Sequence, residues 1–540
     1  MPSEVNRGII RLLTNYFRLF ISVVFGLILV RLLLRSIGED GWGVVALFGS
    51  TIGLAAMLQA IVRASMIREL GTAYHSGDDA SFIRAYNSAL GLAGIVAGFA
   101  LIIFGLLFLF LPLFKLEGLE AGGKAMVVCG AFQSVTTVLC APVFNMYLVS
   151  ERMASHNIWL LLIERGSSLL AAMTVTFVWV SDDPNVSLMR YAIISSAAEM
   201  LCSIAPSLIM MLLIDKRTRP RPSELRWKEV RSIGKVSGWN AVVVIAMNLH
   251  LRVDAIIMNL AFGLFGSRIF GYAMQLTGYA RRLAVGMTDG LDAVATRMST
   301  RNTAESVRQL VRYSTRMHGV VTFPASALMI VLAEPIMQVW IGDLLTDTSE
   351  SIRPTVSLIL ILIIGNGVRS ISDAWVRILY GAGYIRSYAP AILIGGVANP
   401  ITAIVLIWLL PKEPPAWNAV AWAFSGIMVV VHGIVVPFIA AGQLEMRFVN
   451  LFRPLVRPLL VTILCMPIPL MAEWWIIDNW NVFNLFAVFA VFGMSYAIAT
   501  WYLTLYGDER TMFRNALQRR RGNGPQKPEV QHPPSEDADD

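Results

Sequence analysis

The sequence predicts an all-α polytopic membrane protein of about 14 transmembrane helices, arranged as two pseudo-symmetric six-helix lobes plus a C-terminal helix pair. Three observations predict it. Of 540 residues, 56% are hydrophobic and only 15% are charged, against about 25% charged in soluble domains. That leaves too few polar residues to coat several water-borne globules. Apolar runs of about 20 residues, each long enough to cross a bilayer as a helix, recur from end to end. Midway lies the most basic connector, Asp215–Lys235, which divides the first twelve runs into six and six. This composition excludes a soluble enzyme or a DNA-binding factor. In such a chain the formal charge of +8 reports topology before any affinity for nucleic acid.

The first two spans cover 14–35 and 44–67, joined by the glycine-rich segment Ile37-Gly38-Glu39-Asp40-Gly41-Trp42-Gly43. Spans at 88–112, 125–149, 157–180 and 190–214 complete the first lobe. After the connector, 237–262 and 270–295 form a second pair around Leu264-Phe265-Gly266-Ser267-Arg268-Ile269-Phe270-Gly271. Spans at 314–341, 354–379, 388–410 and 417–441 complete the second lobe. The added pair is 458–476, interrupted by Pro467 and Pro469, and 483–505. Gly43 and Gly271, Arg84 and Arg312, and Gly91 and Gly319 share one spacing of 228 residues, the echo expected of an internal repeat. The domains expected are therefore 1–214, a basic linker 215–236, 237–441, the helix pair 442–506, and a tail 507–540 whose charged, Pro-rich end reads as disordered.

Lys and Arg collect in alternate connectors, eight of them between Lys216 and Lys235. The opposite loops carry Glu39, Asp40, Asp182, Asp183, Asp343, Asp347 and Glu350 instead. By the positive-inside rule both termini are cytoplasmic. Trp42, Trp179, Trp340, Trp408, Trp417, Trp474, Trp475 and Trp480 fall at the opposite helix ends, where amphipathic rings favour the headgroup region. The N-terminal apolar stretch runs on to Leu34, too long for a signal h-region. Cys129, Cys140, Cys202 and Cys465 all lie inside apolar runs without metal-ligand spacing, as packing residues.

A charge within the bilayer costs several kcal/mol unless it faces protein or water, so the intramembrane charges are the functional candidates. On the seventh span Asn248, Arg252 and Asn259 share one helical stripe, and His250 and Asp254 form a neighbouring pair. The eighth span holds Arg281 and Arg282, with Asp289 and Asp292 toward its cytoplasmic end. The tenth aligns Asn366, Arg369, Asp373 and Arg377. Arg18 and Arg31 lie on the first span and Arg63 on the second. Guanidinium groups suit bidentate phosphate contact. The substrate-binding candidates are therefore Arg18, Arg31, Arg63, Asn248, Arg252, Arg281, Arg282 and Arg369. Glu164, Glu199, His250, Asp254, Asp289 and Asp373 are the candidates to couple an ion. Each has a structural reading alongside: a local His–Asp hydrogen bond, salt bridges from the paired arginines to Asp289 and Asp292, or snorkelling of Arg63. Arg outnumbers Asp and Glu within the spans, which favours an anionic, phosphate-bearing cargo. No Walker A sequence, HExxH or His/Cys cluster is present, so no cofactor or metal is expected and no enzymatic role.

Several stretches resemble the polysaccharide-exporter, or lipid-linked oligosaccharide flippase (Wzx-type), family, in the superfamily that also holds MATE exporters and lipid II flippases. Arg35-Ser36-Ile37-Gly38-Glu39-Asp40-Gly41-Trp42-Gly43 is similar to its R-x-x-G-x-x-x-[FY]-G motif, with Trp42 at the aromatic position. Gly271-Tyr272-Ala273, Phe323-Pro324, Ala333-Glu334-Pro335-Ile336, Val339-Trp340-Ile341-Gly342, Gly381-Ala382-Gly383-Tyr384-Ile385-Arg386 and Gly507-Asp508-Glu509-Arg510 follow in the family's order. The resemblance implies two lobes around a central cavity lined by spans one, two, seven and eight. It also implies a bacterial inner-membrane flippase moving a polyprenyl-diphosphate-linked oligosaccharide by alternating access, with membrane lipids and a polymerase or ligase of the same glycan as partners. Arginines would hold the diphosphate, and polar stripes of spans seven and eight would contact the sugars. The alternatives are a MATE-like or lipid II-type exporter and, from a different class, a membrane glycan polymerase or ligase or a non-transporting assembly scaffold.

Overall fold

The structure, a computed structural model, describes residues 4–511 apart from 237, 287–290, 302–303, 411–415, 477–478 and 508. Over 4–16, 54–65, 68, 235–236, 293, 300–301 and 304 it describes the course of the backbone only. The long helices are α1 Glu4–His75, α2 Asp79–Leu109 and α3 Glu120–Val149, then α4 Met153–Val178 and α5 Pro184–Ile214. A short helix α6, Trp227–Val236, precedes α7, Gly238–Val285. After α8, Leu291–Arg301, come α9 Ala304–Ile341, α10 Thr348–Gly381 and α11 Ile385–Leu409. The chain ends in α12 Asn418–Gln443, α13 Phe448–Trp475 and α14 Val482–Thr504.

Twelve described helices are long and apolar enough to cross a membrane. Two of these, α1 and α7, are hairpins. Arg18 and Ile52 line one cavity, although 34 residues of straight helix would separate them by about 51 Å. Arg252 and Arg282 likewise share a cavity, where a straight helix would hold them about 45 Å apart. The reversals occur at Gly38 (φ 71°, ψ −176°) and Gly263 (φ 66°, ψ −153°), a backbone region open essentially to glycine alone. Counting each limb gives fourteen crossings in a multi-pass membrane protein, the predicted fold class. The two reversing glycines lie 225 residues apart (263 less 38), so the 228 spacing read from Gly43 and Gly271 misses the true register by three. The eighth crossing also stops at Val285 rather than continuing to 295, because α8 is a separate helix.

Leu109, Phe177, Trp408 and Phe483 are exposed. In water such a belt would be a liability, but against lipid it is the expected outer face. Pro335 lacks an N–H and its ring crowds the carbonyl one turn back, and α9 leaves helical geometry at Leu332 (φ −102°, ψ 16°). The prolines of the thirteenth span bend it without ending it. Val456–Cys465 and Pro467–Trp475 meet at Met466, where a proline at the start of the second segment forfeits only a donor already orphaned.

The helices up to Ile214 pack on one another, as do those from Gly238 to Gln443, and α1 against α7 joins the lobes. The C-terminal pair docks on α9: Tyr496 donates to Val320 O (3.0 Å), and Arg316 pairs with Glu509. In the linker, Arg217 bonds both Asp215 (2.8 Å) and Asp79 (2.5 Å). The guanidinium of Arg217, donating to it, holds the Asp215 carboxyl below the usual aspartate range.

Replacing either reversing glycine by alanine forces a β-carbon into a glycine-only conformation, a cost of about 1–3 kcal/mol. Gly38 faces open space, whereas a β-carbon on Gly263 would also meet Glu117 Oε1. Thermal unfolding in detergent is expected to show a loss for Gly38→Ala and a larger one for Gly263→Ala. Equal losses would contradict this account.

Candidate functional site

A cavity of about 670 Å³ lies on the inner side of the first lobe, walled by α1, α3, α4 and α5, and Arg252 and Arg282 of α7 reach into it from the second lobe. A second space of about 420 Å³ continues it toward Trp42 and Asn366, and the two share Gly49, Arg165, Arg252 and Arg282. Among the described residues, five arginines line the combined space: Arg18, Arg165, Arg252, Arg281 and Arg282. The acidic side chains lining it, among the described residues, are Glu164 and Glu199.

The seating of each arginine follows from its local sequence. Gly53 has no β-carbon, and one built there would collide with the guanidinium of Arg252, so the glycine makes room for the charge. Arg252 donates from Nε to Asn248 Oδ1 (3.1 Å), one turn earlier, and from Nη1 to Gly49 O (3.3 Å). Asn248 therefore orients Arg252. Arg282 lies over the Tyr279 ring, 5.7 Å from its centroid. Glu164 and Arg165 sit in a widened i→i+5 turn, Leu162–Gly166, a local geometry frequent at functional sites. Arg18 pairs with Glu164 (3.4 Å) and Arg281 with Asp373 (2.7 Å). Among the described residues no carboxylate comes within ion-pair distance of Arg165, Arg252 or Arg282.

Other candidates lie elsewhere. Arg31 is tied at the far end of α9, donating to the carbonyls of Val339 and Trp340 and to Asp343 (2.7 Å). It is spent on a helix end, where the last carbonyls lack helical partners. Arg63's side chain and Asp289 fall outside the described residues. Arg281 pairs with Asp373 rather than with Asp292, which sits on α8 against Gly381. Arg369 is buried behind that pair, donating to Met247 Sδ (2.9 Å) with Nε and Nη1 unpartnered.

His250 and Asp254 do not bond each other. Asn399 donates to Asp254 Oδ1 (2.8 Å), and His250 faces His432 across 6.5 Å. His432 Nδ1 and Ser372 Oγ share a hydrogen bond of 3.0 Å. This buried polar cluster lies inside the second lobe. Glu199 faces the cavity from the first lobe, accepting from Gln133 Nε2 (2.6 Å). Sequence reasoning passed over Arg165, Gln133, Asn145, Tyr191, Asn399 and His432. A lone histidine in an apolar run and a charge beside Glu164 were the available signals; single amides gave none.

The end bearing Gly38 and Gly263 is closed. Arg268 reaches Glu39 (3.6 Å) and Asp40 (3.3 Å). Leu264 N donates to Glu117 (3.2 Å) and Lys115 N to Asn259 (3.1 Å). Trp42 stacks on Tyr272 at 5.6 Å.

No family model matches the sequence. Over 527 residues the chain is 19% identical to the Bacillus subtilis (strain 168) protein named "Uncharacterized membrane protein EpsK", covering 94% of this chain and 97% of that one. Among solved structures it is similar to "Lipid II flippase MurJ, inward closed conformation", with TM-score 0.67 and 11% identity over 93% of this chain and 99% of that chain. The chain shares the MurJ and MATE fold. An inward-facing multidrug resistance MATE family transporter of the MOP superfamily gives TM-score 0.64 at 11% identity, covering 82% and 99%. MATE multidrug transporter DinF-BH gives 0.58 at 15%, covering 81% and 95%. At these identities the likeness is one of fold alone.

Asp373 pairs with the half-buried Arg281 and lies near the buried Arg369, so Asp373→Asn removes the carboxylate that serves both. Breaking a fully buried pair costs about 3–5 kcal/mol, and this partly exposed one is expected to cost less. Arg281→Met is expected to cost less still, since Arg369 keeps Asp373 nearby. The order of the two losses in thermal unfolding checks the assignment; the reverse order refutes it.

Proposed function

We propose that this protein is a flippase that moves a polyprenyl-diphosphate-linked oligosaccharide across the bacterial inner membrane, with both termini cytoplasmic. The observation that carries the reading is the interlobe cavity, where Arg165, Arg252 and Arg282 face space without a carboxylate within ion-pair distance among the described residues. Free guanidiniums in a low-dielectric setting favour an anion with several acceptor oxygens, and a diphosphate offers that. An acidic cavity would have favoured the cationic drugs of a multidrug exporter. The full-length likeness to a lipid II flippase fold supports a lipid-borne cargo.

In this mechanism the lobes 1–214 and 237–441 are the moving bodies, and the pair 442–506 stays on the second lobe. The diphosphate sits between Arg252 and Arg282 and takes Arg18 from Glu164. The cluster of His250, Asp254, Asn399 and His432, with Asp373 nearby, is the place where an ion is exchanged during the return step. A polymerase or ligase of the same glycan receives the product.

The test is genetic and direct. Deletion of the gene is expected to accumulate the lipid-linked oligosaccharide on the cytoplasmic face. Complementation with Arg252→Ala/Arg282→Ala should restore little export. Each lost charged hydrogen bond is worth about 1.5–3 kcal/mol, or about ten- to a hundred-fold in binding. Normal crossing without the protein would sink the flippase reading, and crossing without polymerisation would favour an enzyme.

A further inference from the structure

The flippase reading assigns the arginines but leaves the opposite wall of the cavity without a task. That wall, from α3 and α5, is polar in an organised way. Ser196 Oγ donates to Gln133 Oε1 (3.1 Å), and Gln133 Nε2 donates to Glu199 Oε2 (2.6 Å). This relay fixes the amide, leaving Gln133 a second N–H and Glu199 further lone pairs to offer. Asn145 also lines the cavity. It is 1% exposed, and its Nδ2 has no hydrogen-bond partner, a state costly enough to need a reason. The rings of Phe144 and Tyr191 flank these groups.

We propose that this wall is a sugar-reading subsite: Gln133, Asn145 and Glu199 take the hydroxyls of an uncharged sugar placed next to the diphosphate. The proposal rests on the flippase reading and deepens it. A vicinal diol presents two donors that a carboxylate accepts side by side, while amide N–H groups donate to ring and hydroxyl oxygens. Aromatic faces cover the apolar C–H side of a pyranose. Among the described residues, Glu164 and Glu199 are the acidic groups on the cavity, and they repel a hexuronic acid. The arginines facing them, Arg165, Arg252 and Arg282, belong to the phosphates. The size also suits: about 670 Å³ lies within the range of about 300–1,000 Å³ usual for small-ligand sites. This moves the sugar contacts from spans seven and eight, where the sequence suggested them, to the first lobe.

The experiment measures binding to the full chain in nanodiscs with three probes: bare polyprenyl diphosphate, the same lipid carrying one neutral hexose, and the same lipid carrying one hexuronic acid. The wild type is expected to bind the neutral glycolipid about ten-fold tighter than the bare lipid, a difference of about 1.4 kcal/mol, and the acidic one no tighter. Glu199→Gln, which keeps the shape of the side chain, and Asn145→Ala should each abolish that gain without weakening binding of the bare lipid. A variant that fails to fold shows itself by losing the bare lipid too, and the other then decides. Wild-type protein that does not distinguish the three probes, or variants that keep the gain, overturn the subsite. If the bare lipid fails to bind wild type, the flippase reading falls. Binding of a methyl hexoside, lost in Glu199→Gln, would then sustain the subsite alone, and its absence would remove both.

Discussion

The bilayer offers no water to a charged group, and this one constraint orders the interior of the molecule. Every guanidinium in the spans must find a carboxylate, a row of carbonyls or a wet space. Arg31 takes the carbonyls at the end of α9, and Arg281 takes Asp373. Among the described residues, Arg252 has an asparagine and one carbonyl, and Arg282 the face of a tyrosine. These last are solutions for a charge that water or a ligand will complete. The cavity is thus a requirement of the arginines as much as a container for them.

Glycine makes the arrangement possible at both scales. Gly38 and Gly263 turn two long helices back on themselves without a loop, which brings four helical limbs to one axis. Gly53 then clears the space that the Arg252 guanidinium occupies. Because α1 and α7 reverse at the same end of the molecule, the closing contacts collect there, and the unpaired charges lie deeper between the limbs.

The fold class was legible because it depends on counts: the length of apolar runs, the placement of basic connectors and the two glycine-rich joints. Single positions were less legible. The repeat was read three residues out of register, since Gly43 and Gly271 look alike in sequence while the backbone reverses at Gly38 and Gly263. Helical periodicity placed Asn248 and Arg252 together correctly, because both sit on one helix. It grouped His250 with Asp254 as well, but their partners, His432 and Asn399, come from other helices that no spacing reveals. Arg31 looked like a cavity residue because depth along a span says nothing about which way the side chain turns. The intact α13 shows the converse: Pro467 and Pro469 announce a break, yet a proline that opens a new helical segment costs little.

The closed end bears on how much work an opening requires. The Arg268–Glu39 pair is enclosed, with Glu39 9% exposed, but the other ties are of a weak kind: Asp40 is 55% exposed where it meets Arg268, and Lys115 is exposed where it reaches Ala261 O. Pairs of this sort contribute about 1 kcal/mol or less each. The Trp42–Tyr272 stack adds about 0.5–1.5 kcal/mol beyond the area it buries. A latch built of such pieces holds one state by only a few kcal/mol. An anion that binds the opposite state a few hundred-fold better would be enough to shift the population. The Arg281–Asp373 pair lies within the second lobe, and separating it would leave both Arg281 and Arg369 without their carboxylate. It therefore belongs to a body that moves as a whole, and the motion is left to the pairs between α1 and α7.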